Sequence, residues 1–135
     1  MSADRFMLAL GQFSRALDRL DEALAEPETS LMRDALIQRF EFSYELARKC
    51  MFHWLLSQGE SVNDTGRAVI QAAYRAGLIA DAQTWELIKD CRNETSHTYD
   101  EARAIAVAAF IRATAGSAFR LLHAKLTELG NDVEG

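Results

Sequence analysis

Asp4-Arg5-Phe6-Met7-Leu8-Ala9-Leu10-Gly11-Gln12-Phe13-Ser14-Arg15-Ala16-Leu17-Asp18-Arg19-Leu20-Asp21-Glu22-Ala23-Leu24 decides how this chain folds. Within it Phe6, Leu10, Phe13, Leu17, Leu20 and Leu24 return at steps of four and three, the narrow apolar stripe of a helix that packs against other helices. Asp4, Arg15, Asp18, Arg19, Asp21 and Glu22 fall largely on the remaining faces. The helix is expected to stop near Ala25, because Pro27 disfavours helical backbone at the residue before it.

The same pattern continues downstream. Thr29 and Ser30 are N-cap residues for a second long helix whose stripe is Leu36, Phe40, Tyr44, Ala47, Met51 and Leu55, with Gly59 just past its end. The polar stretch from Glu60 to Gly66 reads as a loop and N-cap. A short helix follows through Val69, Ala72, Ala73 and Ala76 to a turn at Gly77. Asp81 caps a second short helix carrying Trp85, Ile88 and Cys91. Thr98 or Asp100 caps a final long helix through Ala104, Ala108, Ile111, Ala115, Ala118, Leu122, Leu126 and Leu129, expected to end at Gly130. The predicted fold is all-α, an antiparallel up-down bundle of three long and two short helices. Residues 1–130 form one domain in this reading, and residues 131–135 form a frayed tail.

The chain has 135 residues, 49% hydrophobic and 26% charged, with one Pro and seven Gly. That is the composition of an ordinary globular domain favouring long helices. A net charge of −5 argues against a protein that coats nucleic acid without regard to sequence. A phosphate would have to be met by a few local cations. The two cysteines, Cys50 and Cys91, form no C-x-x-C pair, so neither a thiolate zinc site nor a redox motif is expected. Reduced thiols in a cytoplasmic protein are the expectation. The N-terminal residues lack the apolar core of a signal peptide, and no unbroken apolar run approaches the roughly 20 residues of a membrane span.

One octapeptide departs from plain amphipathic helix: Arg92-Asn93-Glu94-Thr95-Ser96-His97-Thr98-Tyr99. Arg offers a planar donor fork suited to phosphate, and His gives or takes a proton near neutrality. Cleaving RNA at its 2′-hydroxyl requires that hydroxyl to lose a proton, the leaving oxygen to gain one, and the phosphorane charge to be stabilised. Arg92 and His97 are the residue types for those tasks, with no metal needed. Five steps on a helix rotate by about 500°, or about 140° net, so the pair does not share a face unless the chain turns after Arg92. Convergence across a two-fold interface is the other route. Without catalysis, His97 caps a helix, Arg92 pairs with Asp90, Glu94, Asp100 or Glu101, and Tyr99 is a half-buried ring at a helix start. His53 and His123 read as helix-surface or boundary residues, and the aromatic stripe in 40–45 as core or interface.

Arg92-Asn93-Glu94-Thr95-Ser96-His97-Thr98-Tyr99 resembles the R-x-x-x-x-H-x-Y signature of the HepT-like proteins of the HEPN superfamily, also known as nucleotidyltransferase substrate-binding proteins. The resemblance extends over about residues 36–103, through Arg39-Phe40-Glu41-Phe42-Ser43-Tyr44-Glu45-Leu46, Ala76-Gly77-Leu78-Ile79-Ala80-Asp81, Trp85 and Asp100-Glu101. It implies a helical bundle that dimerises and brings two motifs into one cleft. It also implies a metal-independent toxin ribonuclease with no cofactor, encoded beside a small nucleotidyltransferase antitoxin. In that scheme Arg92 and His97 carry cleavage of RNA. Tyr99 accepts AMP that the partner transfers from ATP, and Asn93 and Ser96 shape the loop. The alternative is a non-catalytic substrate-binding subunit of a two-component nucleotidyltransferase. Where family members often carry a Ser-Pro-Arg turn before the third helix, this chain has Asp64-Thr65-Gly66-Arg67.

Overall fold

The computed structural model describes residues 2–134, which are helical but for the short connections between helices. The order is α1 (Ser2–Ala25), α2 (Ser30–Ser57), α3 (Gly66–Arg75) and α4 (Ala82–Glu94), then a 3₁₀ turn at Thr95–His97, α5 (Glu101–Phe110) and α6 (Gly116–Glu134). A five-residue stretch of wider winding, Ile111–Ala115, joins α5 to α6, so the two form one long helix with a π-type turn inside it. Three long and two short helices result, packed as an antiparallel bundle.

Helix starts are set by local chemistry. Thr29 Oγ1 accepts from the Met32 N–H at 3.1 Å, Thr65 Oγ1 from Ala68 at 3.2 Å, and Asp81 Oδ1 from Gln83 and Thr84 at 3.0 and 3.3 Å. Asp100, rather than Thr98, caps α5 through the Ala102 and Arg103 N–H groups at 3.0 and 3.4 Å. Each side-chain oxygen satisfies an N–H that has no partner within its own helix. Beyond α2 and α3 the chain reverses through Gly59 and Gly77, at φ +83° and +81°, where a side chain would be strained.

One core fills the bundle. Phe119 of α6 stacks on Phe40 of α2 at 5.8 Å between ring centroids, meets Trp85 of α4 at 5.7 Å, and receives the edge of Phe13 of α1 at 6.4 Å. Four helices therefore converge on one ring. The period read from sequence put Ala118 inward, yet Ala118 is only partly buried and Phe119 is fully buried. One turn of about 3.6 residues from Ala115 ends between Ala118 and Phe119, and the fold buries the later one, while Leu122 and Leu126 face inward as read from sequence.

Gly130 does not end the last helix, which continues to Glu134. A Cβ on Gly130 would lie 3.0 Å from Leu10 Cδ2, so this glycine permits close packing of α6 on α1 and is not a stop signal. Of the tail expected at residues 131–135, Gly135 lies outside the described residues. His53, read from sequence as a surface or boundary residue, is buried at 9% exposure. His123 lies at the boundary as expected, its Nε2 2.6 Å from Ser14 Oγ.

The α5–α6 helix is long and apolar enough, by length and composition, to cross a membrane. Its Ala104, Val107, Ala108, Ile111, Ala115, Phe119, Leu122 and Leu126 point into the core, which makes it a core helix of the bundle.

Candidate active site

Arg92 sits in the last turn of α4, and the chain tightens into the 3₁₀ turn at once. Three hydroxyls fold that turn back on itself. Thr95 Oγ1 lies 2.6 Å from the Arg92 carbonyl, Ser96 Oγ donates to the Asn93 carbonyl at 3.0 Å, and Thr98 Oγ1 donates to the Thr95 carbonyl at 3.0 Å. The Asp100 N–H closes the segment on the His97 carbonyl at 3.1 Å. Ser and Thr side chains commonly satisfy carbonyls three residues back, and here they terminate α4 and set the direction of the chain toward His97.

The guanidinium of Arg92 turns inward against α2. Its Nη1 lies 3.2 Å from Glu41 Oε2 and donates to Thr95 Oγ1 at 3.0 Å; its Nε lies 3.4 Å from Glu45 Oε1 without forming a hydrogen bond. Thr95 is buried, and its Oγ1 is also 3.1 Å from Glu41 Oε2, so its single proton goes to that carboxylate or to the Arg92 carbonyl. Glu41 and Glu45 are four residues apart and so share one face of α2. Arg92 also borders a cavity of about 340 Å³ with Tyr44, Glu45, Arg48, Gly66, Lys89 and Asn93. The Tyr44 hydroxyl is buried there without a partner, and burial, with Glu45 second, pushes its pKa up to about 12.

His97 ends the 3₁₀ turn, partly exposed, with its ring 6.2 Å from that of Tyr99 in an edge-on arrangement. Tyr99 is 87% exposed, which excludes the half-buried ring considered from sequence. Asn93 and Ser96 are exposed in the same segment. The structure thus brings His97 and Tyr99 together at the surface and holds Arg92 behind them, with no hydrogen bond between Arg92 and His97 among the described residues. None of the carboxylates expected beside Arg92 takes that place: Asp90 is 3.9 Å from Lys89, Glu94 is 3.8 Å from Arg103, and Asp100 caps α5.

Sequence reasoning missed Glu41, Glu45 and Thr95 as the partners of Arg92. The available signal was two acids four apart inside an aromatic stripe, where a solvated face is not expected. Among the described residues no group of three or more His, Cys, Asp and Glu side chains is placed to hold a metal ion. The thiols are unpaired, and burial pushes Cys50 up to about 12 and Cys91 to about 11, which leaves both unreactive near neutrality.

The family model described as "Nucleotidyltransferase substrate binding protein like" matches residues 8–128. The chain belongs to that family. Over 92 residues it is 40% identical to a Haemophilus influenzae protein named "Probable ribonuclease HepT", a match covering 62% of this chain and 63% of the relative. The chain thus spans under two thirds of that curated relative's length. The crystal structure of ttk003001694 from Thermus thermophilus superposes with a TM-score of 0.78 at 29% identity, covering 84% of this chain and 98% of that one. HI0074 of Haemophilus influenzae, described as revealing the fold of a substrate-binding domain of a nucleotidyltransferase, gives 0.67 at 28% identity over 93% of this chain and 98% of its own. Both solved structures share the helical fold of this chain.

Proposed function

We propose that this protein is the toxin of a toxin–antitoxin pair, a metal-independent RNA endonuclease of the cytoplasm in which Arg92 and His97 carry cleavage. The observation that carries the reading is the turn after α4, which leaves His97 partly exposed five residues beyond Arg92. The resemblance to a relative named as a probable ribonuclease supports it. In the reaction the RNA 2′-oxygen bonds to the adjacent phosphorus as the P–O5′ bond breaks, leaving a 2′,3′-cyclic phosphate and a 5′-hydroxyl. One imidazole takes the 2′-hydroxyl proton, and another gives a proton to the leaving oxygen. Arg92 stabilises the charge on the phosphorane.

Two imidazoles require two copies of the chain. Beside the motif, Leu87, Cys91, Val107 and Phe110 line a groove between α4 and α5, rimmed by Asp90, Glu94 and Arg103. Leu87 stands about half exposed in its wall. An apolar groove with a charged rim suits a second copy, placed so that two motifs face one cleft. Tyr99, exposed beside His97, is the acceptor for AMP transferred from ATP by a partner nucleotidyltransferase. Its modification would put bulk and negative charge where an RNA phosphate must approach.

The test is incubation of purified protein with transfer RNA and total RNA, with and without a chelator. Wild type cuts in both conditions, and His97→Ala or Arg92→Ala slows cutting by roughly 10²–10⁴-fold. RNA left equally intact by wild type and His97→Ala sinks the proposal. The ion pairing of Arg92 with Glu41 and Glu45 favours a second reading, a non-catalytic subunit that presents substrate to the nucleotidyltransferase. That reading predicts a stable complex with the partner and no growth arrest when this chain is expressed alone.

A further inference from the structure

On the seam between α1 and α2, Arg5, Leu8, Ala9 and Gln12 face Lys49 and His53 across a cavity of about 310 Å³. The spacing on each helix explains the grouping, since residues three, four and seven apart share a face. Gln12 and His53 each carry a buried side-chain atom with no hydrogen-bond partner, Gln12 Oε1 and His53 Nδ1. His53 is only 9% exposed. Buried polar atoms in native proteins nearly always find a partner, so two orphans on residues that line one cavity are a signal that a further group meets them.

The charges point the same way. Eight arginines of this acidic chain lie in ion pairs, at positions 19, 33, 39, 48, 92, 103, 112 and 120. Arg5 and Lys49 are exposed, line the same cavity and, like Arg15, Arg67, Arg75 and Lys125 elsewhere, form no ion pair among the described residues. Both also act on His53: burial first, then Arg5 and Lys49, push its pKa below the ordinary value, while Asp64 pulls the other way. The ring is therefore neutral near pH 7 and offers one N–H. The Gln12 amide, turned over, offers two more.

We infer that this cavity binds a phosphate group, with Arg5 and Lys49 balancing its charge and Gln12 and His53 donating hydrogen bonds. Leu8, 61% exposed, and Ala9 supply an apolar wall for the carbon skeleton attached to it. The guanidinium fork of Arg5 matches phosphate oxygens, and a dianion answers two cations better than a single carboxylate does. This site shares no residue with the R-x-x-x-x-H-x-Y segment, and the inference does not rest on ribonuclease activity. His53 lies twelve residues beyond Glu41 on α2, about 18 Å along the helix, so the phosphate belongs either to a small ligand or to a distant part of an RNA chain.

The experiment follows the His53 ring signals by NMR while inorganic phosphate, AMP or a single-stranded RNA oligomer is added to the full chain. Phosphate is expected to shift those signals and raise the His53 pKa. The double variant Arg5→Gln, Lys49→Gln, both positions exposed, should weaken the response by about tenfold, while Arg92→Ala should keep it. A response to phosphate and AMP, with the salt dependence of RNA binding unchanged in the double variant, assigns a small phosphorylated ligand. An RNA salt slope lower by about one or two in the double variant assigns the RNA backbone. No His53 response to any of the three probes, or an equal response in the double variant, overturns the inference.

Discussion

Arg92 Nη1 and Glu41 Oε2 lie 3.2 Å apart, with Thr95 Oγ1 within hydrogen-bond distance of both. A phosphate approaching Arg92 must therefore compete with a carboxylate already in place. Glu41→Gln keeps the shape and removes the competing charge. The pair is about one-third exposed, so stability should change by less than about 1 kcal/mol. RNA binding at low salt, followed by fluorescence anisotropy, should tighten several-fold. Unchanged or weaker binding would mean that Arg92 is not the group that meets the phosphate.

Phe119 is the ring on which four helices meet, so Phe119→Ala should cost about 3–5 kcal/mol in guanidinium unfolding. Leu121, two residues on and 74% exposed, is the control. Leu121→Ala should stay within about 0.5 kcal/mol of wild type. Similar losses at the two positions would contradict the packing described for α6.

Acid should destabilise this fold before its carboxylates titrate. Burial, followed by neighbouring cations, lowers the pKa of both His53 and His123. The cations are Arg5 and Lys49 for His53 and Arg120 for His123, opposed by Asp64 and Asp18 respectively. With folded values below the unfolded value near 6.5, the unfolded chain takes up protons first as pH falls. Stability is thus full above about pH 6.5 and declines as pH drops through the lower folded values. Unfolding midpoints at pH 7.5 and 5.5 should show the decline, and His53→Gln with His123→Gln should flatten it.

Tyr99 is 87% exposed and its hydroxyl anchors nothing in the fold. Tyr99→Phe should leave the unfolding midpoint within about 0.5 kcal/mol of wild type. In the proposed scheme the same change abolishes AMP addition by the partner with ATP, read as intact mass. AMP addition persisting on the Phe variant would place the acceptor elsewhere.

Local chemistry made much of the fold legible. Thr29, Thr65 and Asp81 announce helix starts, Gly59 and Gly77 announce reversals, and the stripe from Phe6 to Leu24 announces the bundle. Each of those signals acts within a few residues of itself. The turn carrying His97 stayed a condition in the sequence, and Thr95, Ser96 and Thr98 make it by bonding to carbonyls three residues back. The partners of Arg92 were not legible, since Glu41 is 51 positions away and only the packing of α4 on α2 brings it near. Phe119 was missed because one turn beyond Ala115 ends between Ala118 and Phe119, and the stripe alone does not choose between neighbours. Gly130 was misread because a glycine that permits close approach and one that ends a helix look alike in sequence.

The bond between Ser14 and His123 spans 109 residues, and the Gly130 backbone rests against Leu10. A ribosome must therefore make the chain through α6 before α1 meets it, and Phe119 cannot fill the core any earlier. Until then the nascent protein holds an unfilled centre and an open α1 flank, both attractive to chaperones. The segment containing Arg92 and His97 is synthesised while the bundle that orients it is still incomplete. Whatever chemistry that segment performs thereby waits for the synthesis of α6.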